Sequence, residues 1–509
     1  MEHRPFFGYE NMIALENITY RYADDIEPAL RNVSLRILPG ESVCMMGANG
    51  SGKSTFAKLT AGLIAPARGR LRVESDGAER MPVGIIFQNP DNQMVAATVE
   101  KEIAFALENL GCRQDEMEQR VGETLEKFGI PHLRNRLTSE LSGGEKQRVA
   151  LASVMIFQPN ILILDEPDSF LDQEGKAALR QELQRIRQFK PSMVQIHITQ
   201  YPQAAAGYDR LIVFHRGEVA ADDNPDRIFR DRAFCLKTGL AFADDNAPQV
   251  RLPASRAAGQ AVGKRVNRIE FKRVDFGYPG FGKVIGGLST ILEAGRITGV
   301  VGLSGAGKST LGALVCGLLK PTDGEIKYVD DNGGRIDADA IAGHVSGIFQ
   351  QPERQFFLPS CLEEIQYGPK NLGRSLQRDE LVALFEMIGL DIDQFVDRDP
   401  FSLSGGEKRR MAFAAVLSIS PDFIVFDEPT CGLDAEGTGR FLHLAQALKA
   451  SGVGMIVISH DPEIIRSLAD RVIVLRKGES SAVLGHNEFF SDPRYSSVIA
   501  PVSECDAEA

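Results

Sequence analysis

The sequence predicts an α/β fold built twice in one chain, and three observations carry that prediction. Four motifs recur in the same order about 260 residues apart. Each glycine-rich loop sits between a short apolar run and a stretch of helical spacing. Apolar strands alternate with helical stretches along both halves. A period of that length lies far outside the roughly 20–45 residues of stacked solenoid repeats, so it means two copies of one domain.

The motifs place the elements. GANGSGKST (47–55) returns as GLSGAGKST (302–310), and IFQNPDNQ (86–93) as IFQQPERQ (348–355). LSGGEKQR (141–148) returns as LSGGEKRR (403–410), and ILILDEP (161–167) as FIVFDEP (423–429). Runs 43–46 and 298–301 read as buried strands entering the glycine loops. Phe56, Leu59 and Leu63, then Leu311, Leu314 and Leu318, follow at helical spacing. Val99, Ile103, Leu107 and Leu110 mark one face of a helix before LSGGE, so a helical insertion is expected at 95–140 and 357–402. Runs 161–164 and 423–426 end in two acids, as central parallel strands beside a site do. The two domains are expected at 11–240 and 268–500, each ending in a Gly-marked hairpin. Between them 241–267, rich in Ala, Gly and Pro, suits a flexible linker, and the terminal SECDAEA is polar.

Composition narrows the class. Of 509 residues 43% are hydrophobic and 25% charged, ordinary for a globular chain and wrong for a disordered one. Lys+Arg 57 against Asp+Glu 69 leaves −12, which argues against a basic nucleic-acid binder. No run of eighteen apolar residues occurs, so no direct membrane insertion is expected. MEHRPFFGYE lacks the pattern of a signal peptide. The seven cysteines are scattered without a CxxC pair and read as reduced thiols of a cytoplasmic protein.

GxxxxGK[ST] between strand and helix is a phosphate cradle. Gly47, Gly50 and Gly52, and Gly302, Gly305 and Gly307, let backbone N–H groups curl around an anion. Asn49, Ser51, Ser304 and Ala306 complete the loops, with Thr55 and Thr310 just beyond. Lys53 and Lys308 are expected on the β- and γ-phosphates, and Ser54 and Ser309 on Mg²⁺. Asp165 and Asp427 end strands where a Mg²⁺-coordinating carboxylate belongs, and Glu166 and Glu428 are placed to polarise an attacking water. In LSGGE, Ser142, Gly143 and Gly144, and Ser404, Gly405 and Gly406, open helices. A bare helix N-terminus with a serine is an anion site. Ser-x-x-Glu is also an ordinary capping box, and both readings can hold together.

With these motifs the chain resembles a tandem ATP-binding-cassette (ABC) ATPase over nearly all of both halves. The resemblance implies two nucleotide-binding domains, each a RecA-like P-loop core with an antiparallel β part and a helical subdomain. It implies cassettes dimerised head to tail, here within one chain, with ATP and Mg²⁺ between the phosphate loop of one and the LSGGE of the other. By that resemblance Tyr22 and Tyr278 match the aromatic that stacks on adenine, although a strand tyrosine can equally serve the core. Gln88 and Gln350 match the glutamine that touches Mg²⁺ and water and couples to a membrane partner. Asp172 and Asp434 match the aspartate that communicates across the dimer.

FQNPDNQ with ATVEKEIAFALENLG resembles one ATPase of the energy-coupling-factor (ECF) importers of vitamins and metal ions, and FQQPERQFFLPSCLEEIQYGPKNLG resembles its partner ATPase. This implies a peripheral subunit on the cytoplasmic face of the membrane. Its partners would be an integral-membrane coupling (T-type) subunit and a small substrate-binding (S-type) subunit, docking near the Gln88 and Gln350 segments. A fused sugar-importer ATPase and a soluble tandem cassette acting on ribosomes are the alternatives. The YGPKN run weighs against the first and the short linker against the second.

The halves differ where the family carries a histidine contacting the γ-phosphate. IVISHDPE supplies His460, whereas aligning Pro202 with Pro462 puts Gln200 there in QIHITQYPQ. His197, opposite Val457, reads as structural. Two unequal sites are therefore expected, one of Lys53, Asp165, Glu166 and Gln200 with Ser404 and Gly406. The other joins Lys308, Asp427, Glu428 and His460 to Ser142 and Gly144, and it should dominate hydrolysis. Asp168 opposite Thr430, and Cys431 before Gly432, suggest no role by themselves.

Overall fold

A computed structural model of the chain describes residues 13–22, 27–73, 83–88, 90, 93–169, 171, 173–241, 265–280, 282–350, 355–479, 481–496 and 498. Asp172, most of the expected linker and the SECDAEA tail lie outside the described residues. The chain divides into two compact units that change over after Phe242, with Gly432–Glu436 grouped with the first.

In the first unit the strands are β1 (Ile13–Tyr20), β2 (Leu30–Ile37), β3 (Ser42–Met46), β4 (Arg68–Val73), β5 (Val83–Ile86), β6 (Ile161–Asp165), β7 (Val194–Ile198), β8 (Arg210–His215) and β9 (Glu218–Asp223). β1 lies between β2 and β4, antiparallel to both. The other six make one sheet in the order β5-β6-β7-β3-β8-β9, parallel except for the β8–β9 hairpin. A parallel sheet is covered on both faces, and β6 shows why its sequence is apolar throughout. Ile161 and Ile163 pack with Phe56 and Leu59 on one face. Leu162 and Leu164 pack with Val99, Ile103 and Leu107 of the helical insertion on the other. The insertion carries helices Val99–Asn109, Gln114–Lys127 and Gly143–Met155, inside and just after the span expected for it.

The second unit repeats the plan with β10 (Val266–Tyr278), β11 (Gly282–Glu293), β12 (Ile297–Val301), β13 (Asp323–Asp330), β14 (Arg335–Ile336), β15 (Val345–Ile348), β16 (Phe423–Asp427), β17 (Gly454–Ile458), β18 (Arg471–Val474) and β19 (Ala482–Gly485). Its sheets run β11-β10-β13-β14 and β15-β16-β17-β12-β18-β19. Phe423 and Val425 face one cluster, Ile424 and Phe426 the other. β10 begins at Val266, so the expected linker boundary at 267/268 falls inside a strand. Val266 is buried, and its amide donates to Asp422 Oδ2 at 3.0 Å, a partner far along the chain.

The helices after the glycine loops are shorter than the leucine spacing suggested. They span Lys53–Thr60 and Lys308–Val315. Gly62 (φ 72°) and Gly317 (φ 69°) turn the chain through the left-handed region, and Leu63 N–H and Leu318 N–H close the turn on Lys58 O and Ala313 O, both at 2.9 Å. Leu63 and Leu318 are therefore exposed (57% and 65%) and are not part of the buried helix face.

Candidate active site

Each phosphate loop leaves the C-terminal end of a central strand, β3 or β12, which is where open α/β sheets hold their ligands. Only glycine fits at its first position: a Cβ on Gly47 would stand 2.1 Å from the carbonyl oxygen of Phe214. The lysines are buried and fold over their own loops. Lys53 Nζ donates to Gly47 O (2.8 Å) and Ala48 O (3.0 Å), and Lys308 Nζ to Gly302 O (2.8 Å) and Leu303 O (3.0 Å). Burial pushes the Lys53 pKa down, opposed by the nearby carboxylates of Glu166 and Asp165. A cation so poorly hydrated gains much from a phosphate.

The acid pairs close the sheet ends. Ser54 Oγ donates to Asp165 Oδ1 at 3.1 Å, and Ser309 bonds Asp427 likewise. Burial raises the pKa of Asp165, with the Ser54 hydrogen bond and Lys53 opposing. Asp427 is raised by burial too, opposed by Ser309 and Lys308. A hydroxyl beside a carboxylate is the hard oxygen set that suits Mg²⁺ with phosphate as a further ligand. The next residues, Glu166 (φ 51°) and Glu428 (φ 50°), both sit in the left-handed region, unusual for a non-glycine residue. Their N–H groups donate to Ile198 O and Ile458 O, each at 2.9 Å. Such a conformation persists only where neighbours over-determine it, and in the first unit it brings the Glu166 carboxylate within electrostatic reach of Lys53.

The two glutamates are held differently. Glu166 accepts from Gln88 Nε2 (2.9 Å), Gln200 Nε2 (2.7 Å) and Ser169 Oγ (3.3 Å). Gln200 Nε2 also reaches Asn49 Oδ1 at 2.7 Å. Burial raises the Glu166 pKa, opposed by Lys53 and Gln200. In the second unit His460 Nε2 stands 3.4 Å from Glu428 Oε1. Gln200 and His460, aligned with each other in the sequence, thus both stand beside the left-handed glutamate of their own unit.

Ser142 and Ser404 cap helices Gly143–Met155 and Gly405–Leu417 with full capping boxes. Ser142 Oγ and N each lie 2.8 Å from Glu145 Oε2, and Ser404 repeats this with Glu407. The ordinary cap is therefore real, and the serines and the glycines after them remain accessible. Tyr22 OH pairs with Thr55 Oγ1 (3.3 Å) and Tyr278 OH with Thr310 Oγ1 (3.2 Å), so each tyrosine stands by its phosphate loop. Tyr278 is 42% exposed, which removes the core reading for it. Asp434 lies immediately before helix Ala435–Ala450.

Three features escaped the motif reading. Asp168 accepts from Thr199 Oγ1 (3.3 Å) and lies 4.0 Å from His197 Nε2, whose Nδ1 meets Tyr208 OH at 2.8 Å. His197 is buried, as a structural histidine should be. Glu102 and Glu364, also buried, clamp the turns after the glutamine segments. Glu102 accepts from the amides of Val95 and Ala96 (2.9 and 2.7 Å), Glu364 from those of Phe357 and Leu358 (2.5 and 2.6 Å). Arg409 is buried and donates to three main-chain carbonyls around Glu428. The visible signal was the change from Gln147 to Arg409 in otherwise matching motifs.

The family model described as ABC transporter matches residues 30–169 and 285–431. A Bacillus subtilis protein, "Putative HMP/thiamine import ATP-binding protein YkoD", is 30% identical, covering 92% of this chain and 90% of its own length. A Bifidobacterium longum "Putative ABC transporter ATP-binding protein" is 31% identical over 90% of this chain, which spans 64% of that relative's length. Among solved structures, cbiO1 from Clostridium perfringens, part of the ABC transporter complex cbiONQ, is 31% identical. It covers 45% of this chain and 95% of its own, with TM-score 0.40.

Proposed function

Because the chain belongs to the ABC transporter family, whose ATP-binding subunits hydrolyse ATP, we propose that it is the ATPase of an ECF-type importer. In this reading it drives uptake of a vitamin, vitamin precursor or metal ion through separate membrane subunits. The observation that carries the ATPase part is the twofold recurrence of buried lysine, serine–aspartate pair and left-handed glutamate around one loop. Lys53 and Lys308 would stabilise charge on the transferred phosphoryl, and Glu166 and Glu428 would orient the attacking water. Mg²⁺ held by Ser54 with Asp165, and by Ser309 with Asp427, would add charge on the phosphate oxygens. Gln200 and His460 would meet the γ-phosphate, and only a histidine can bring a cation there. ATP would be sandwiched head to tail between the loop of one cassette and the LSGGE of the other, its adenine on Tyr22 or Tyr278, with Asp172 and Asp434 relaying the state.

Several observations support the transport reading. Among the described residues no helix is long and apolar enough to cross a membrane, and the reading places the membrane subunits in other chains. The segments after Gln88 and Gln350 present exposed large apolar side chains, Val95 and Phe105 in one unit and Phe357 and Tyr367 in the other. Glu102 and Glu364 fix the backbone that presents them. Such patches are what a membrane subunit's helix would cover. The ECF type rests on the FQNPDNQ and YGPKN segments and agrees with a relative named for HMP/thiamine import. Purifying the tagged chain from gently solubilised membranes tests it. One coupling-type membrane protein with a small hydrophobic binder is the expected yield; ribosomes, or a sugar-type permease pair, would replace the reading.

A further inference from the structure

We propose that Arg409 is a positioning residue for hydrolysis in the second cassette, fixing the main chain of Glu428 and tying it to the Gln350 segment. The proposal rests on the reading of Glu428 as the residue that orients the attacking water. Arg409 lies in the second turn of helix Gly405–Leu417, and its side chain is turned inward with only 6% exposed. Its guanidinium donates from Nη1 to Glu428 O (2.7 Å) and Cys431 O (2.5 Å), and from Nη2 to Gln350 O (3.2 Å). One rigid fork therefore joins the LSGGE helix, the loop after β16 and the glutamine segment after β15.

The geometry shows what that fork does. Glu428 is held at φ 50° with its N–H on Ile458 O at 2.9 Å, so β17 clamps one side of the residue. Arg409 clamps the other through the carbonyl. Both peptide groups of a strained residue are then fixed, which is what such a conformation needs to persist. A displacement at Gln350 has a direct route to Glu428, because one guanidinium holds both carbonyls.

The first cassette does this otherwise. Gln147 stands where Arg409 does, buried, and its amide nitrogen has no hydrogen-bond partner among the described residues. There the carboxylate of Glu166 is gripped instead, by Gln88 and Gln200. Both main chains are held, Glu166 O accepting from Ser169 N–H at 3.3 Å and Glu428 O from Cys431 N–H at 3.2 Å, and only Glu428 O receives a guanidinium besides. The Glu428 carboxylate has His460 Nε2 3.4 Å from Oε1.

The test uses the full chain, with steady-state ATPase rates and the affinity for a fluorescent ATP analogue measured on each variant. Arg409→Gln, which installs the residue of the first cassette, should lower kcat about tenfold while nucleotide affinity stays within about twofold. Arg409→Lys, which keeps the charge but reaches fewer carbonyls, should recover part of the loss. Full activity in Arg409→Gln, or turnover and affinity falling together, overturns the proposal. Should Arg409→Gln fail to fold, Arg409→Lys alone decides: a lowered kcat with affinity kept supports the proposal, and an unchanged kcat overturns it. Glu428→Gln is measured beside them. An unchanged rate there removes the premise about Glu428 itself, an outcome distinct from failure at Arg409.

Discussion

His197 makes the stability of the first cassette depend on pH through one buried ring. Burial holds its pKa below the ordinary histidine value of 6.5, with Asp168 pulling the other way. As pH falls below that value the unfolded chain takes up a proton that the folded chain resists. The contribution is therefore intact above pH 6.5 and is lost on acidification, by at most about 1.4 kcal/mol per pH unit. Replacing His197→Val together with Tyr208→Leu removes the titrating group along with the hydroxyl that pairs with it. Denaturant unfolding at pH 7.5 and 5.5 should show a smaller loss on acidification in the double variant; equal losses would mean that His197 takes up its proton alike in the folded and the unfolded chain. The sequence made His197 legible as structural, because it sits inside an apolar strand opposite Val457, three residues before the Gln200 and His460 positions. It did not reveal Asp168, since a buried acid beside DEP looks the same as a solvated turn until Thr199 and His197 are seen to meet it. The left-handed φ of Glu166 and Glu428 was equally hidden, for nothing in the residue type announces it.

At the scale of elements, the strand–loop–helix units were readable because glycine positions, apolar runs and helical spacing agree with one another. Helix ends were less so. Leucines at 63 and 318 extend the periodicity, yet Gly62 and Gly317 end the helices first, and the C-terminal glycine was the stronger signal. The LSGGE helices raise a sharper question, because the serine serves a cap and also stands where a phosphate is proposed. Ser404→Asp separates the two roles. Aspartate caps about as well as serine, whereas losing the cap altogether costs about 1 kcal/mol. A carboxylate at that helix end would repel a phosphate. Ser404→Asp should therefore keep the melting temperature of the parent within about 2 °C and lose most ATP turnover. Ser404→Ala should lose stability by about the value of one cap. If Ser404→Asp hydrolyses ATP normally, the serine is a cap and nothing more.

For the whole molecule, duplication explains why so much could be read and where reading stopped. Two copies of every motif turn each mismatch into information: Gln200 against His460 and Gln147 against Arg409 stand out because their surroundings match. What the comparison of letters lacks is the geometry that gives the mismatches meaning. In the first unit three neutral donors engage the Glu166 carboxylate, while in the second a histidine approaches Glu428 and an arginine holds its carbonyl. A carboxylate already engaged by two amides has less freedom to take a proton from water, and a neutral amide places no positive charge on the γ-phosphate. Glu428→Gln should accordingly reduce steady-state ATPase by more than about tenfold, and Glu166→Gln by less. One chain carries both sites, so a block at either can stall a shared cycle. Rates are therefore read with trapped nucleotide: Glu166→Gln should retain one ATP while the second site still turns over in a single cycle, and Glu428→Gln should retain ATP at both. Equal losses of rate together with equal trapping would make the sites equivalent, and the differences around Gln200 and Arg409 would then concern binding and not hydrolysis.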